Sequence, residues 1–254
     1  MGRLKLKKAT FCLFLMLFCS SLSYAQQKSQ LTLATTHWCP YTCGDGEFRH
    51  GTIGVYIQSL LKELSVELNI EYYPWSRAIL LAKHGQVDGL LTATYQEAPS
   101  LTFTDIPVSY YQMCFFTKRN TNWRYTNPIV LGNLKLAVIQ DYGYGEPVDT
   151  FLRQTPGVIA ISGSAGTQRL IDFLRKSRVD IIIEDDAVYN WAARHHDLDV
   201  SEIRNAGCLP STPFYLALYP SEENLKLIKQ LNQVLRLPKN QQRLQQIMAI
   251  YSES

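Results

Sequence analysis

The chain has 254 residues, 46% hydrophobic and 19% charged, with a formal net charge of +3. This is the composition of an ordinary soluble protein with a packed core, and the length fits one large domain or two small ones. Four of the 25 Lys and Arg (Arg3, Lys5, Lys7, Lys8) precede an apolar run at 11–19; without them 21 basic residues face 22 Asp and Glu, a balance of −1 that argues against a nucleic-acid surface built on clustered cations.

The basic start, the apolar run and the small-x-small sequence Ser23-Tyr24-Ala25 together form the pattern of a secretory signal peptide cleaved near Ala25. A membrane anchor needs about 20 apolar residues, and Ser20 and Ser21 interrupt this run. Lipid attachment at Cys19 is the other reading, although Phe18 is larger than the small residue such attachment prefers. Export leaves Cys39, Cys43, Cys114 and Cys208, an even number in an oxidising compartment, so disulfides are expected with their connectivity open.

In chain order, 31–36 reads as a strand and 37–51 as a loop carrying three glycines and three aromatics. Apolar residues at Val55, Ile57, Leu60, Leu61, Leu64 and Leu68 fall near a 3.6 period and predict a helix over 54–68, followed by a strand at 70–73. Residues 76–85 read as a helix capped by Ser76, and 87–91 as a buried strand. That phrase returns: Arg169 stands ten residues before Val179, as Arg77 stands ten before Val87, which points to two similar lobes. An aromatic strand at 110–118 leads into the second unit. There 136–139, 158–161 and 179–183 are strands, and 147–153, 166–176 and 185–195 are helices. A strand at 214–219 and helices at 222–235 and 240–251, split by Pro238, complete an α/β alternation with no low-complexity linker.

The order of several short motifs resembles the extracellular solute-binding proteins of family 3, the periplasmic amino-acid-binding type. The family's Tyr-Pro-Pro-Phe loop corresponds to Trp38-Cys39-Pro40-Tyr41, and its Gly-Phe-Asp to Gly54-Val55-Tyr56. Its Gly-x-Val-Asp turn corresponds to Gly85-Gln86-Val87-Asp88, and its Phe-Ser-x-Pro loosely to the segment from Phe103 to Pro107. The resemblance covers nearly all of the chain after the signal peptide. It implies a two-lobed flytrap fold of periplasmic-binding-protein type II, each lobe a mostly parallel sheet flanked by helices, with two hinge crossovers. The lobes are expected at 26–110 with 214–254, and at 111–213. It also implies a periplasmic monomer that captures a small polar, amino-acid-like or amine-bearing solute without a cofactor. Its partners would be the membrane subunits of an ABC importer or a membrane sensor.

Departures from the family pattern limit what carries over. Where the family's Thr-x-Thr-x-x-Arg places an arginine that clamps a ligand carboxylate, this chain reads Thr92-Ala93-Thr94-Tyr95-Gln96-Glu97. A carboxylate there repels the same ligand group. The second lobe's Gly-Thr-Thr turn is replaced by Tyr142-Gly143-Tyr144, whereas Asp185 keeps the spacing from Val179-Asp180 at which the family places the carboxylate that holds a ligand amine.

Ligands of open α/β lobes collect beyond the carboxyl ends of strands. Candidate ligand-binding residues are therefore Trp38, Tyr41, Trp75, Thr92, Thr94, Tyr95, Tyr142, Tyr144 and Asp185, with Arg77 as a substitute clamp reaching from its helix start. For the aromatics, plain core packing is the competing reading. His37, Cys39 and Cys43 offer only three close ligands where a closed zinc site wants four, so no metal is expected and a Cys39 to Cys43 disulfide is preferred. No Gly-x-Ser-x-Gly, His-Glu-x-x-His or phosphate loop occurs. The enzymatic alternative, dehydratase-like, rests on the adjacent carboxylates Glu184, Asp185 and Asp186.

Overall fold

The computed structural model describes residues 29–163 and 165–252, so the expected signal peptide at 1–25 lies outside the described residues. Two mixed sheets organise the chain. The first has the order β2-β1-β3-β11-β4, with β5 also on β11; the second has the order β10-β6-β9-β7-β8. The strands of the first are β1 (Ser29–Thr35), β2 (Val66–Tyr72), β3 (Gly89–Ala93), β4 (Thr102–Phe103), β5 (Ser109–Tyr111) and β11 (Thr212–Leu218). Those of the second are β6 (Met113–Lys118), β7 (Leu136–Ile139), β8 (Ile159–Ile161), β9 (Ile181–Asp185) and β10 (Ile203–Cys208). Pairing is parallel on one side of each sheet, β1 with β2 and β3, and β7 with β8 and β9. Antiparallel strands complete the other side, so each sheet is mixed where mostly parallel sheets were expected.

The sequence accounts for this layout. Strands β3 and β9 are buried along their whole length, and both read as short apolar runs, as central strands do. Helix α1 (Gly51–Glu63) lays Ile53, Ile57, Leu60 and Leu61 against Leu31 and Leu33 of β1, one apolar stripe on one sheet face. Its expected continuation to 68 is wrong. Ser65 adopts a left-handed φ of 60°, and the alternation Val66, Leu68, Ile70 against Glu67, Asn69, Glu71 then makes β2. The leucines at 64 and 68 satisfy both periods, and the alternation from Val66 to Glu71 decides between them.

Helix α2 (Trp75–Lys83) packs Ala78, Ile79 and Ala82 against Leu90 and Ala217, while α4 (Gly166–Arg175) packs Leu170, Ile171 and Leu174 against Ala137 and Ile182. The sequence repeat has a physical basis here. In the first lobe Asp88 accepts from the Thr32 backbone N–H at 2.7 Å and returns its own N–H to the Thr32 carbonyl at 2.8 Å. In the second, Asp180 does the same with Lys135, at 2.9 and 2.8 Å. Each Val-Asp pair thus ties the turn after a helix to the backbone of the neighbouring strand or its lead-in.

Two other helices complete the second sheet's cover, α3 (Val148–Gln154) and α5 (Asp186–His195). The chain ends in α6 (Glu222–Leu235), capped by Ser221 and led by Glu222 and Glu223, and α7 (Pro238–Ser252), which begins on the proline that was expected to split them. Lys239 and Arg243 of α7 clasp Glu63 of α1 at 3.0 and 2.8 Å, returning the C-terminus to the first sheet.

The predicted strand at 110–118 divides at Gln112, where the chain passes from β5 in the first sheet to β6 in the second; it returns between β10 and β11. These crossings lie side by side. The Gln112 side-chain amide donates to the Leu209 carbonyl at 3.0 Å, and the Leu209 N–H to the Met113 carbonyl at 2.8 Å. A disulfide joins Cys114 to Cys208 across paired β6 and β10, and a second joins Cys39 to Cys43.

Candidate functional site

The loop after β1 is folded back on itself. Trp38 and Thr42 exchange backbone hydrogen bonds at 2.8 and 3.0 Å, the Cys39–Cys43 disulfide spans the same turn, and Thr42 Oγ1 donates to the Thr36 carbonyl at 2.8 Å. Gly51 closes it with a φ of 66°, where a Cβ would run into the Tyr41 carbonyl. This construction holds the Trp38 indole between the sheets. Its ring lies 4.5 Å from Tyr41, 5.7 Å from Phe214, 5.9 Å from Tyr111 and 6.3 Å from Tyr142, mostly edge to face.

Beside that cluster is a small, partly open cavity of about 30 Å³, room for roughly one water as the lobes stand. The aromatics Trp38, Trp75, Tyr111, Tyr142 and Phe214 wall it, together with Met113 and Ala93; Thr36, Thr92, Thr94, Glu97 and Gly143 supply the polar lining. It lies beyond the carboxyl ends of β1 and β3, with the crossing strands β5, β6 and β11 at its back. A wider groove of about 620 Å³ lies outside it, shares Glu97, Tyr142 and Gly143, and carries Lys83 and Arg153.

Glu97 is the centre of the polar side. Its Oε2 accepts from the Thr94 N–H and the Thr94 hydroxyl, both at 2.8 Å. Its Oε1 accepts from the Trp75 indole N–H at 2.8 Å and from the Gly143 N–H at 2.9 Å. The first three donors belong to elements of the first sheet and the last to the loop after β7 of the second, so one carboxylate spans the lobes. Burial pushes the Glu97 pKa up, against these bonds, which favour the charged form. Gly143 is further fixed by its carbonyl, which accepts from the Tyr111 hydroxyl at 2.8 Å. A Cβ on Gly143 would lie 3.3 Å from both the Glu97 carboxyl carbon and the Thr94 hydroxyl, which explains a glycine between two tyrosines.

A second carboxylate lies behind Trp38. Glu184 accepts from the Trp38 indole at 3.4 Å, from the Thr167 hydroxyl at 2.8 Å and from the Asp185 N–H at 2.9 Å. Burial raises its pKa to about 7 against those bonds. Asp185 points the other way along the strand, as successive residues must. It caps α5 by accepting from the Val188 N–H at 3.0 Å and holds the crossing by accepting from the Gln112 N–H at 2.7 Å; burial raises its pKa to about 6.

Five of the ten sequence-predicted residues line the cavity: Trp38, Trp75, Thr92, Thr94 and Tyr142. The other five lie outside it. Arg77 is exposed with its guanidinium 5.6 Å over the Tyr73 ring. Tyr95 is 47% exposed and its ring packs at a tilt against Phe103 and Tyr215. Tyr41 packs behind Trp38, its hydroxyl donating to the Tyr110 carbonyl at 3.3 Å. Tyr144 is buried with its hydroxyl on the Ile139 backbone at 2.7 and 3.2 Å. Asp185, 1% exposed, spends its carboxylate on the cap and the crossing. The sequence reading omitted Tyr111, Met113 and Phe214, which flank the two crossings. Their signal is positional, an aromatic on each strand at the point where it changes sheets.

No protein-family model and no curated protein matches the chain. Solved structures do. A mutant of ArgBP from T. maritima superposes with a TM-score of 0.71 at 17% identity over 91% of this chain and 97% of that one. A histidine kinase sensor domain described as similar to periplasmic binding proteins gives 0.75 at 12% identity over 89% and 97%. The fold is that of the two-lobed periplasmic binding proteins. An ancestral amino-acid-binding protein, AncCDT-1, described as a precursor of cyclohexadienyl dehydratase, shares this binding-protein fold with a TM-score of 0.70 at 16% identity over 89% and 96%.

Proposed function

We propose that the chain is an exported solute-binding protein that captures a small molecule in the cavity between its lobes and reports capture by closing. The supporting observation is the cavity itself: aromatic walls and a few convergent polar groups, drawn from both sheets and from both crossing strands. A solute touching both lobes favours the closed form by its differential affinity. The lobes in this reading are 26–110 with 214–254, and 111–213. Two described neighbours are an arginine-binding protein and a kinase sensor domain, and this supports solute capture for either an ABC importer or a membrane receptor in the periplasm. We assign the chain to a divergent branch of solute-binding family 3, lacking the clamping arginine. A binding role is favoured over a dehydratase-like one because Glu184 and Asp185 are committed to structural hydrogen bonds outside the cavity.

Thermal-shift screening against a panel of small metabolites, with the ligand recovered afterwards, tests this reading. A metabolite that raises the melting temperature and returns unchanged supports it. Conversion to product supports the enzyme instead.

A further inference from the structure

The cavity contains a ready-made place for an anion, and the chain fills it from within. Four donors converge there from both lobes: the Thr94 N–H, the Thr94 hydroxyl, the Trp75 indole N–H and the Gly143 N–H, at 2.8 to 2.9 Å. Their occupant is the Glu97 carboxylate, whose two oxygens offer about four acceptor positions. Each is used. Among the described residues, none that lines the cavity is Lys, Arg or His. The remaining walls are mainly the faces and edges of aromatic rings. The cations of the outer groove are elsewhere; Arg153 pairs with Glu146 at 3.0 Å.

We propose, resting on the solute-binding reading above, that Glu97 determines specificity by occupying the anion position of the cleft, so that the solute held beside it is a small organic cation with no carboxylate of its own. A solute carboxylate entering this cavity meets a fixed negative charge, finds its donors taken and gains no counterion. An ammonium or guanidinium group meets the opposite situation: a half-buried carboxylate at short range and π-faces that attract cations. Of the four bonds, the one from the Gly143 N–H crosses the cleft, so a cation enters as that contact parts, and the lobes close again over it beside Glu97.

The test compares the purified protein with its Glu97→Gln and Glu97→Ala variants by calorimetry and thermal shift. The probes are methylammonium, guanidinium and tetramethylammonium chlorides, sodium acetate and arginine. Wild type is expected to bind at least one of the simple cations and to ignore acetate and arginine. Glu97→Gln keeps the shape and is expected to weaken that cation at least about tenfold through loss of the charge. Glu97→Ala exposes four donors, and acetate is expected to bind it and raise its melting temperature while leaving wild type unmoved. Wild type that binds arginine or acetate as tightly as the simple cations overturns the proposal, and so does a Gln variant with unchanged cation affinity. If no probe moves any form while a screened metabolite binds wild type, this inference falls and the solute-binding reading stands. If nothing binds at all, both fall.

Discussion

Glu184 makes a pH prediction that can be worked through. It is fully buried behind Trp38, and its pKa of about 7 stands above the ordinary value of 4.5. The folded protein therefore keeps a proton that the unfolded chain has released over this range. Stability from the neutral acid is fully present below pH 4.5 and is lost as pH rises through about 7, the reverse of a salt-bridged carboxylate. At about 1.4 kcal/mol per pH unit the loss is about 3 kcal/mol, or about 6 to 12 °C in melting temperature for a chain of this size. Glu184→Gln keeps the shape and does not titrate. Urea unfolding of both proteins at pH 4.5, 6, 7 and 8, with disulfides intact, should show the variant gaining about 3 kcal/mol on wild type between the ends of the series. Asp185 and Glu97, also raised by burial, are present in both proteins and largely cancel in the difference. A difference that stays constant across the series refutes the assignment of a neutral, buried Glu184.

The contacts around the cleft and the crossings make three further predictions. Trp75→Phe removes one donor to the Glu97 carboxylate and should cost about 1.5 to 3 kcal/mol in urea unfolding, as hydrogen bonds to charged groups do. Gly143→Ala presses a methyl against Glu97 and Thr94 and should raise the radius of gyration in solution scattering by opening the cleft; an unchanged scattering profile counts against the tight approach. Replacing Cys114 and Cys208 together by Ala frees a 94-residue separation and should lower stability by about 2 to 5 kcal/mol at constant fold by circular dichroism.

How far the sequence could be read depends on which constraint was local. The helix-turn-strand repeat was legible because the Val-Asp pair after each helix makes the same two backbone contacts in each lobe. The helix at 222–235 was legible because its cap, first-turn acids and apolar stripe agree. The short strands β4 and β10 were not, since two residues carry no period and β10 is held by pairing with β6 and a disulfide rather than by its own pattern. In the site, Trp38, Trp75, Thr92, Thr94 and Tyr142 follow from their places at strand ends and in loops. Phe214 and Tyr111 became visible only once the crossings fixed which face of each strand turns inward.

Asp185 shows why spacing identified a fold position without identifying a role. A carboxylate at the N-cap of a helix and one residue after a fully buried glutamate can turn toward the cleft or toward the backbone, and the sequence is the same in both cases. The choice is made by the neighbours: the buried Val188 N–H at the start of α5 would be left unpaired if Asp185 turned away, and the more exposed Gln112 N–H at the crossing would lose the same partner. Leaving a buried donor unsatisfied costs about 1 to 3 kcal/mol, so a ligand amine would have to offset that cost before gaining anything from this side chain. Glu97 carries no such conflict, because the donors that hold it are the walls of the cavity. The negative charge available to a solute is therefore on Glu97, in the position where an arginine was expected, and the two lobes close around it.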